Sequence, residues 1–178
     1  MARDHSETEQ YLAQTGISYT ALRDNFYLDL IPEMFGTEGV MRGPPAQGAA
    51  AWVARDDVAR VAADVLRSPG TTSAVHDVTG PEALTMAETA RRLSALAGRE
   101  LCYEAESLEA GRAWRSQLGA PGWEVETWLG SYQAIAAGEV EKTSDTVFRV
   151  TGRRPLSLEQ YFSAHRDLLA PLRTPAKA

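Results

Sequence analysis

Directly after an apolar run, Ile17 to Leu22, the chain places Arg23, Asp24, Asn25, Phe26 and Tyr27. The run reads as a short buried strand, being rich in β-branched and aromatic residues without an internal proline or glycine. Ligands of doubly wound sheets bind at the carboxyl ends of strands, so Arg23 and Asn25 stand where side-chain donors can meet a polar ligand. Phe26 and Tyr27 stand where rings can wall a flat one. The same residues also fit a helix cap at Asp24 or Asn25, with Phe26 and Tyr27 as core. Both readings stay open on sequence alone.

Other chemistry-bearing residues are sparse. His5, His76 and His165 are isolated, and Cys102 is the one cysteine, so no metal-ligand spacing, internal disulfide or Ser-His-Asp set can be assembled. The nucleophile-elbow pentapeptide is missing. Asp56-Asp57 resembles a carboxylate pair but fits a helix cap followed by one exposed acid. Trp123 and Trp128 share a helix with Val125, Leu129 and Tyr132; most of this is a packed face, with Trp123 a candidate for the lid of a pocket.

The elements that must position these residues alternate. A helix ending at Gly16 precedes the first strand, and a second helix spans about 26–35 with a kink at Pro32. Residues 36–49, with glycines at 36, 39, 43 and 48 and prolines at 44 and 45, read as a long loop. A strand at 50–54 leads into a helix at 58–66 capped by Asp56 and ended by Ser68-Pro69-Gly70. A strand at 75–78 follows. Thr85 and Glu88 form a capping box for a helix running to Leu96 and closed by Gly98. A fourth strand covers 101–105, and helices are expected at 107–117, 123–137, 143–151 and 157–169. Strands alternating with helices give an α/β fold with parallel pairing. Residues 1–170 read as one domain and 171–178 as a flexible tail.

With 178 residues and a formal net charge of −6, the chain has nothing to neutralise phosphates, so no nucleic acid and no membrane are expected as partners. No apolar run approaches membrane-spanning length, and the start lacks a signal core, which makes cytoplasmic the default. The glycine-rich turn that follows the first strand of a dinucleotide-binding domain is absent.

Four segments carry a family resemblance. They are Arg3 to Glu9 with Gly16 to Tyr27; Trp52 to Ala59; Val78 to Thr85; and Ser144-Asp145 with Thr151 to Pro155. In order and spacing the chain resembles the NmrA-like branch of the atypical short-chain dehydrogenase/reductases, of the NAD(P)-binding quinone oxidoreductase type, in its C-terminal part only. The resemblance implies an α/β fold: the C-terminal portion of a Rossmann-like doubly wound parallel sheet plus a mostly helical substrate-binding region. The N-terminal Gly-rich βαβ unit is missing from the sequence. It implies an NAD(P)H-dependent oxidoreductase reducing a quinone or related carbonyl, represented by its substrate-side half and inactive alone; the alternative is a non-enzymatic NADP-sensing regulator that binds a protein partner. NADP or NAD would serve the intact protein, with weak or no binding by this chain alone. A half-sheet with an open edge is expected to form a homo-oligomer. His5 takes the place of the lysine that touches the nicotinamide ribose, and Met1 that of the tyrosine, which makes His5 the catalytic candidate. Arg23 and Asn25 fall to the cofactor, and Phe26, Tyr27 and Trp123 to the substrate.

Overall fold

The computed structural model describes residues 2–43, 48–68 and 73–173. Helix α1, Ala2–Thr15, ends at Gly16, whose φ of 72° lies in the left-handed region. Strand β1 is Thr20–Asp24 rather than 17–22. The shift has a local cause: the Thr15 hydroxyl accepts from the Ile17 amide at 3.3 Å, and the ladder begins only where Thr20 meets Ala74. Ile17 is left exposed. Among the described residues β1 pairs only with β4, Ala74–Val78, in parallel, and none of its residues is fully buried.

Residues 25–27 continue extended, because Phe26 and Tyr27 pair with Val53: Val53 N donates to Phe26 O at 2.9 Å and Leu28 N to Val53 O at 3.0 Å. The expected helix at 26–35 is therefore reduced to a 3₁₀ segment, Leu28–Met34, which tolerates Pro32. The expected loop at 36–49 contains strand β2, Val40–Gly43, and the start of β3, Ala49–Ala50; Pro44 and Pro45 lie outside the described residues. Strand β2 runs parallel to β6, Cys102–Ala105, and β3 pairs antiparallel with β5, Leu84–Thr85. The architecture is α/β, with the sheet among the described residues in three two-stranded pieces, two of them parallel.

The helices follow their punctuation. Helix α2 is Arg55–Arg67; α3, Met86–Ala97, has the Thr85–Glu88 capping box and ends at Gly98, with φ 68°. Helices α4, Leu108–Gln117, and α5, Gly122–Ala136, form a hairpin. Two short helices, α6 (Thr146–Thr151) and α7 (Leu158–Ala164), lead through a 3₁₀ turn at Arg166–Leu169 into α8, Ala170–Arg173. Residues 171–173 are thus not tail: Leu172 is 3% exposed, seated in the main core. The remaining tail residues, 174–178, lie outside the described ones, as do Met1 and the Pro69-Gly70 stop.

The acidic pair departs from expectation. Helix α2 has Ala54 at its N-cap with no side-chain cap, so Asp56 does not cap it. Asp56 instead lies in the first turn, where a carboxylate suits the helix dipole, 3.2 Å from His165 Nε2. Asp57 is fully buried, not exposed: it pairs with Arg60, and its Oδ2 accepts from Leu156 N at 2.7 Å, fixing the start of α7. Asn25 also ties distant segments together. Its Nδ2 donates to Val140 O at 2.8 Å while its Oδ1 accepts from Phe26 N at 2.7 Å.

Asp57→Ala strands the Leu156 amide in the interior and should lower the unfolding free energy by about 2–3 kcal/mol. Asn25→Ala, which takes one of two donors from the Val140 carbonyl and the side-chain acceptor from Phe26 N, should cost about 1–2 kcal/mol. Arg23→Ala removes only an exposed ion pair with Glu9 and should leave the urea midpoint where it is. Urea unfolding followed by circular dichroism ranks the three; an Arg23 variant less stable than the Asn25 variant would contradict this order.

Candidate functional site

Beside the carboxyl end of β1 lies a cleft of about 310 Å³, between the 3₁₀ segment and the α4–α5 hairpin. Phe26, Trp52, Trp114, Trp128 and Tyr132 line it with their rings, and Leu30, Met34, Leu118 and Ile135 complete the apolar walls. Its polar groups are Glu33, Arg115 and Ser131. Phe26 and Trp52 lie 6.0 Å apart between ring centres, tilted by 41°. Trp52 is fixed from behind, where its indole N–H donates to the Thr89 hydroxyl at 3.2 Å.

Glycines bring the walls together. A Cβ on Gly43 would stand 2.2 Å from the Tyr132 ring, so this ring sits where β2 has no side chain. Burial pushes the Tyr132 phenol up to about 12, which keeps it a neutral hydroxyl through the physiological range. The Arg115 guanidinium lies 4.4 Å from the Trp114 ring centre and 5.6 Å from that of Tyr132. A mostly apolar, aromatic hollow with a few fixed polar groups is the form of a small-molecule site, and its rings suit a flat ligand.

Of the residues expected from sequence, only Phe26 faces this cleft. Tyr27 is not among its lining residues: its hydroxyl donates to Asp24 Oδ2 at 3.0 Å, the Arg55 guanidinium lies 4.7 Å from its ring centre, and its ring packs on the small Val53–Val61–Val78–Val147 core. Burial raises the Asp24 carboxyl, and the Tyr27 hydrogen bond opposes that rise. Trp123 is 71% exposed and away from the cleft; Trp128, on the same helix, takes the place expected of it. Trp52, which the sequence offers either as core or as pocket lining, lines the cleft; Trp114, Tyr132 and Arg115 were not legible as site residues, although Trp128, Tyr132 and Ile135 make a stripe at helical spacing.

The groups expected to hold a dinucleotide are otherwise engaged. Arg23 Nε and Nη2 bind the Glu9 carboxylate at 2.9 and 2.5 Å, and both ends of the Asn25 amide serve the backbone. His5 is exposed on α1, one turn from Glu9. No glycine-rich turn joins a strand to a helix N-terminus in this sequence. Arg23 and Asn25 thus spend their side-chain hydrogen bonds on protein partners. No group of three or more histidine, cysteine or acidic residues suited to a metal ion occurs among the described residues.

No family model matches the chain. Individual relatives do. An NAD(P)H azoreductase from Xenophilus azovorans is 29% identical over 162 residues, 89% of this chain and 57% of that protein. Quinone oxidoreductase 2 from Escherichia coli is 28% identical over 166 residues, 92% of this chain and 58% of that protein. The crystal structure of the NADPH-dependent quinone oxidoreductase from Escherichia coli, complexed with NADPH, superimposes with a TM-score of 0.83 and 27% identity, over 93% of this chain and 59% of the other. The chain thus spans less than two thirds of each of these relatives. By sequence and by fold, the chain resembles the NmrA-like, quinone-reductase-type NAD(P)-binding proteins over the part they share.

Proposed function

We propose that this chain forms the acceptor side of an NAD(P)H-dependent oxidoreductase that reduces a quinone or a related flat carbonyl compound. The observation that carries the reading is the cleft at the carboxyl end of β1, walled by Phe26, Trp52, Trp114, Trp128 and Tyr132. The relatives support it: one is named as a quinone oxidoreductase and another as an azoreductase, and both names describe reduction of flat conjugated molecules.

Hydride chemistry belongs to the nicotinamide, and none of the cleft's side chains can supply a hydride. What this chain contributes is binding and orientation. Rings on three sides hold a planar acceptor by stacking and displace water from its faces. The dinucleotide would be held by residues other than those described, so tight NADPH binding by this chain alone is not expected. His5 stays a candidate proton donor, since an imidazole can pass a proton and quinone reduction takes up protons. The acceptor tolerates the loss of a dedicated acid, because solvent protonates reduced quinone oxygens readily.

Tetramethyl-1,4-benzoquinone is a suitable probe, because its substituted ring offers no C–H position to the exposed Cys102 thiol. It should quench tryptophan fluorescence saturably, and Phe26→Ala should raise its Kd about tenfold, the equivalent of ~1.4 kcal/mol of lost ring contact. Linear, non-saturating quenching would remove the acceptor reading. Calorimetry should find no tight NADPH binding; a sub-micromolar Kd would show that the described residues hold the cofactor after all. In a preparation that oxidises NADPH with the quinone, His5→Ala should lower turnover, and unchanged turnover would take His5 out of the chemistry.

A further inference from the structure

One wall of the cleft is held by a buried ion pair. Arg115 and Glu106 have side chains only 5% and 11% exposed, and Arg115 Nη1 donates to Glu106 Oε1 at 2.7 Å. The other carboxylate oxygen, Oε2, accepts the indole N–H of Trp114 at 2.9 Å. Arg115 is anchored in turn: Nη2 donates to Arg42 O at 2.7 Å and Nη1 to Gly111 O at 3.1 Å. The backbone N–H of Glu106 donates to Gly43 O at 2.7 Å, so both ends of the network end on β2.

The packing leaves this arrangement little freedom. A Cβ on Gly111 would stand 2.8 Å from Arg115 Nη1 and 2.9 Å from Glu106 Oε1. Stability alone is a weak reason for such a pair, since a buried ion pair is often no more stabilising than apolar side chains of similar volume. Geometry is a better one. Trp114 is 38% exposed, and without a partner for its N–H a ring so placed would be free to change rotamer.

We propose that Glu106 and Arg115 are positioning residues for the flat acceptor, acting by holding the Trp114 indole as a fixed wall of the cleft. This rests on the acceptor reading above. Neither residue needs to touch the acceptor's reacting atoms. Their contribution is to pre-orient a stacking surface, which lowers the cost of ordering it when ligand binds.

The test compares three proteins: the unmodified chain, Trp114→Phe, which keeps a ring but loses the N–H, and the apolar double variant Glu106→Leu/Arg115→Met. The double variant replaces the pair as a unit and so avoids leaving one buried charge unpaired. Calorimetric titration with tetramethyl-1,4-benzoquinone should give a Kd raised about three- to tenfold in each variant, the range expected for the net loss of one ordinary hydrogen bond. Adding Trp114→Phe to the double variant should weaken binding no further, because all the changes break the same linkage. In nuclear magnetic resonance spectra the Trp114 indole proton should be protected from exchange in the unmodified chain and exposed in the double variant. Unchanged Kd in Trp114→Phe, or additive losses on combination, would overturn the inference while leaving the acceptor reading intact. No binding by the unmodified chain would overturn both. Should the double variant not fold, Trp114→Phe and the indole exchange of the unmodified chain decide.

Discussion

The constraint on which this structure turns is the satisfaction of a buried backbone. Ala50, Ala51, Trp52, Val53 and Ala54 are all 4% exposed or less, in a segment of which only Ala49–Ala50 forms a regular strand. Peptide groups there cannot reach water, and an unpaired one costs about as much as a lost hydrogen bond. Their partners come from three remote places. Ala51 N donates to Val140 O at 2.9 Å, Val53 exchanges bonds with Phe26 and Leu28, and Ala51 O accepts from Gly80 N at 3.2 Å. Gly80 approaches so closely that a Cβ would lie 1.9 Å from Trp52 O. Satisfying this one segment therefore brings together the end of β1, the turn after β4 and the chain following α5.

The same convergence explains what the family pattern marks. The segments around Arg23–Tyr27, Trp52–Ala59, Val78–Thr85 and Ser144–Asp145 are far apart in sequence and adjacent here. Ser144 N donates to the Thr79 hydroxyl at 2.8 Å, and its own hydroxyl to Asp77 O at 2.6 Å. Glu82, in the turn after β4, shares Arg92 with Glu159 and so ties that turn to α7. The pattern records the frame around the cleft more than the groups that line it. That is why the family was legible while most of the site residues were not.

Periodicity accounts for the particular misses. Phe26 and Tyr27 look like one aromatic wall only if the chain there is helical or loose. Pairing with Val53 keeps it extended, and neighbouring side chains of an extended chain point to opposite faces. Phe26 turns to the cleft and Tyr27 to the valine core. On α5, Trp123 and Trp128 are five residues apart, about 140° around a helix, so they cannot share a face. Trp128 shares its face with Tyr132 and Ile135; Trp123 faces solvent. Apart from the Asp56 cap, helix punctuation survived because it is local: Gly16, the Thr85–Glu88 box and Gly98 each act within a turn. Strands β2 and β5 have four and two residues, and only their distant partners make them strands.

The cleft's polar groups show how the chain divides its work. Arg115 is charged and close to two rings, which invites a role in stabilising negative charge on a reduced acceptor. Its carboxylate partner at 2.7 Å largely cancels that charge locally, and two of its nitrogens already serve backbone carbonyls. A group so engaged has little field left to aim at a ligand, but much rigidity to lend to its neighbours. Glu33, exposed at the opposite wall, sits where solvent screens it. The interior of the cleft is thus left to its rings. Selection among ligands would follow shape and stacking more than charge, because the side chains lining the cleft offer breadth and flatness and keep their strongest electrostatics for one another.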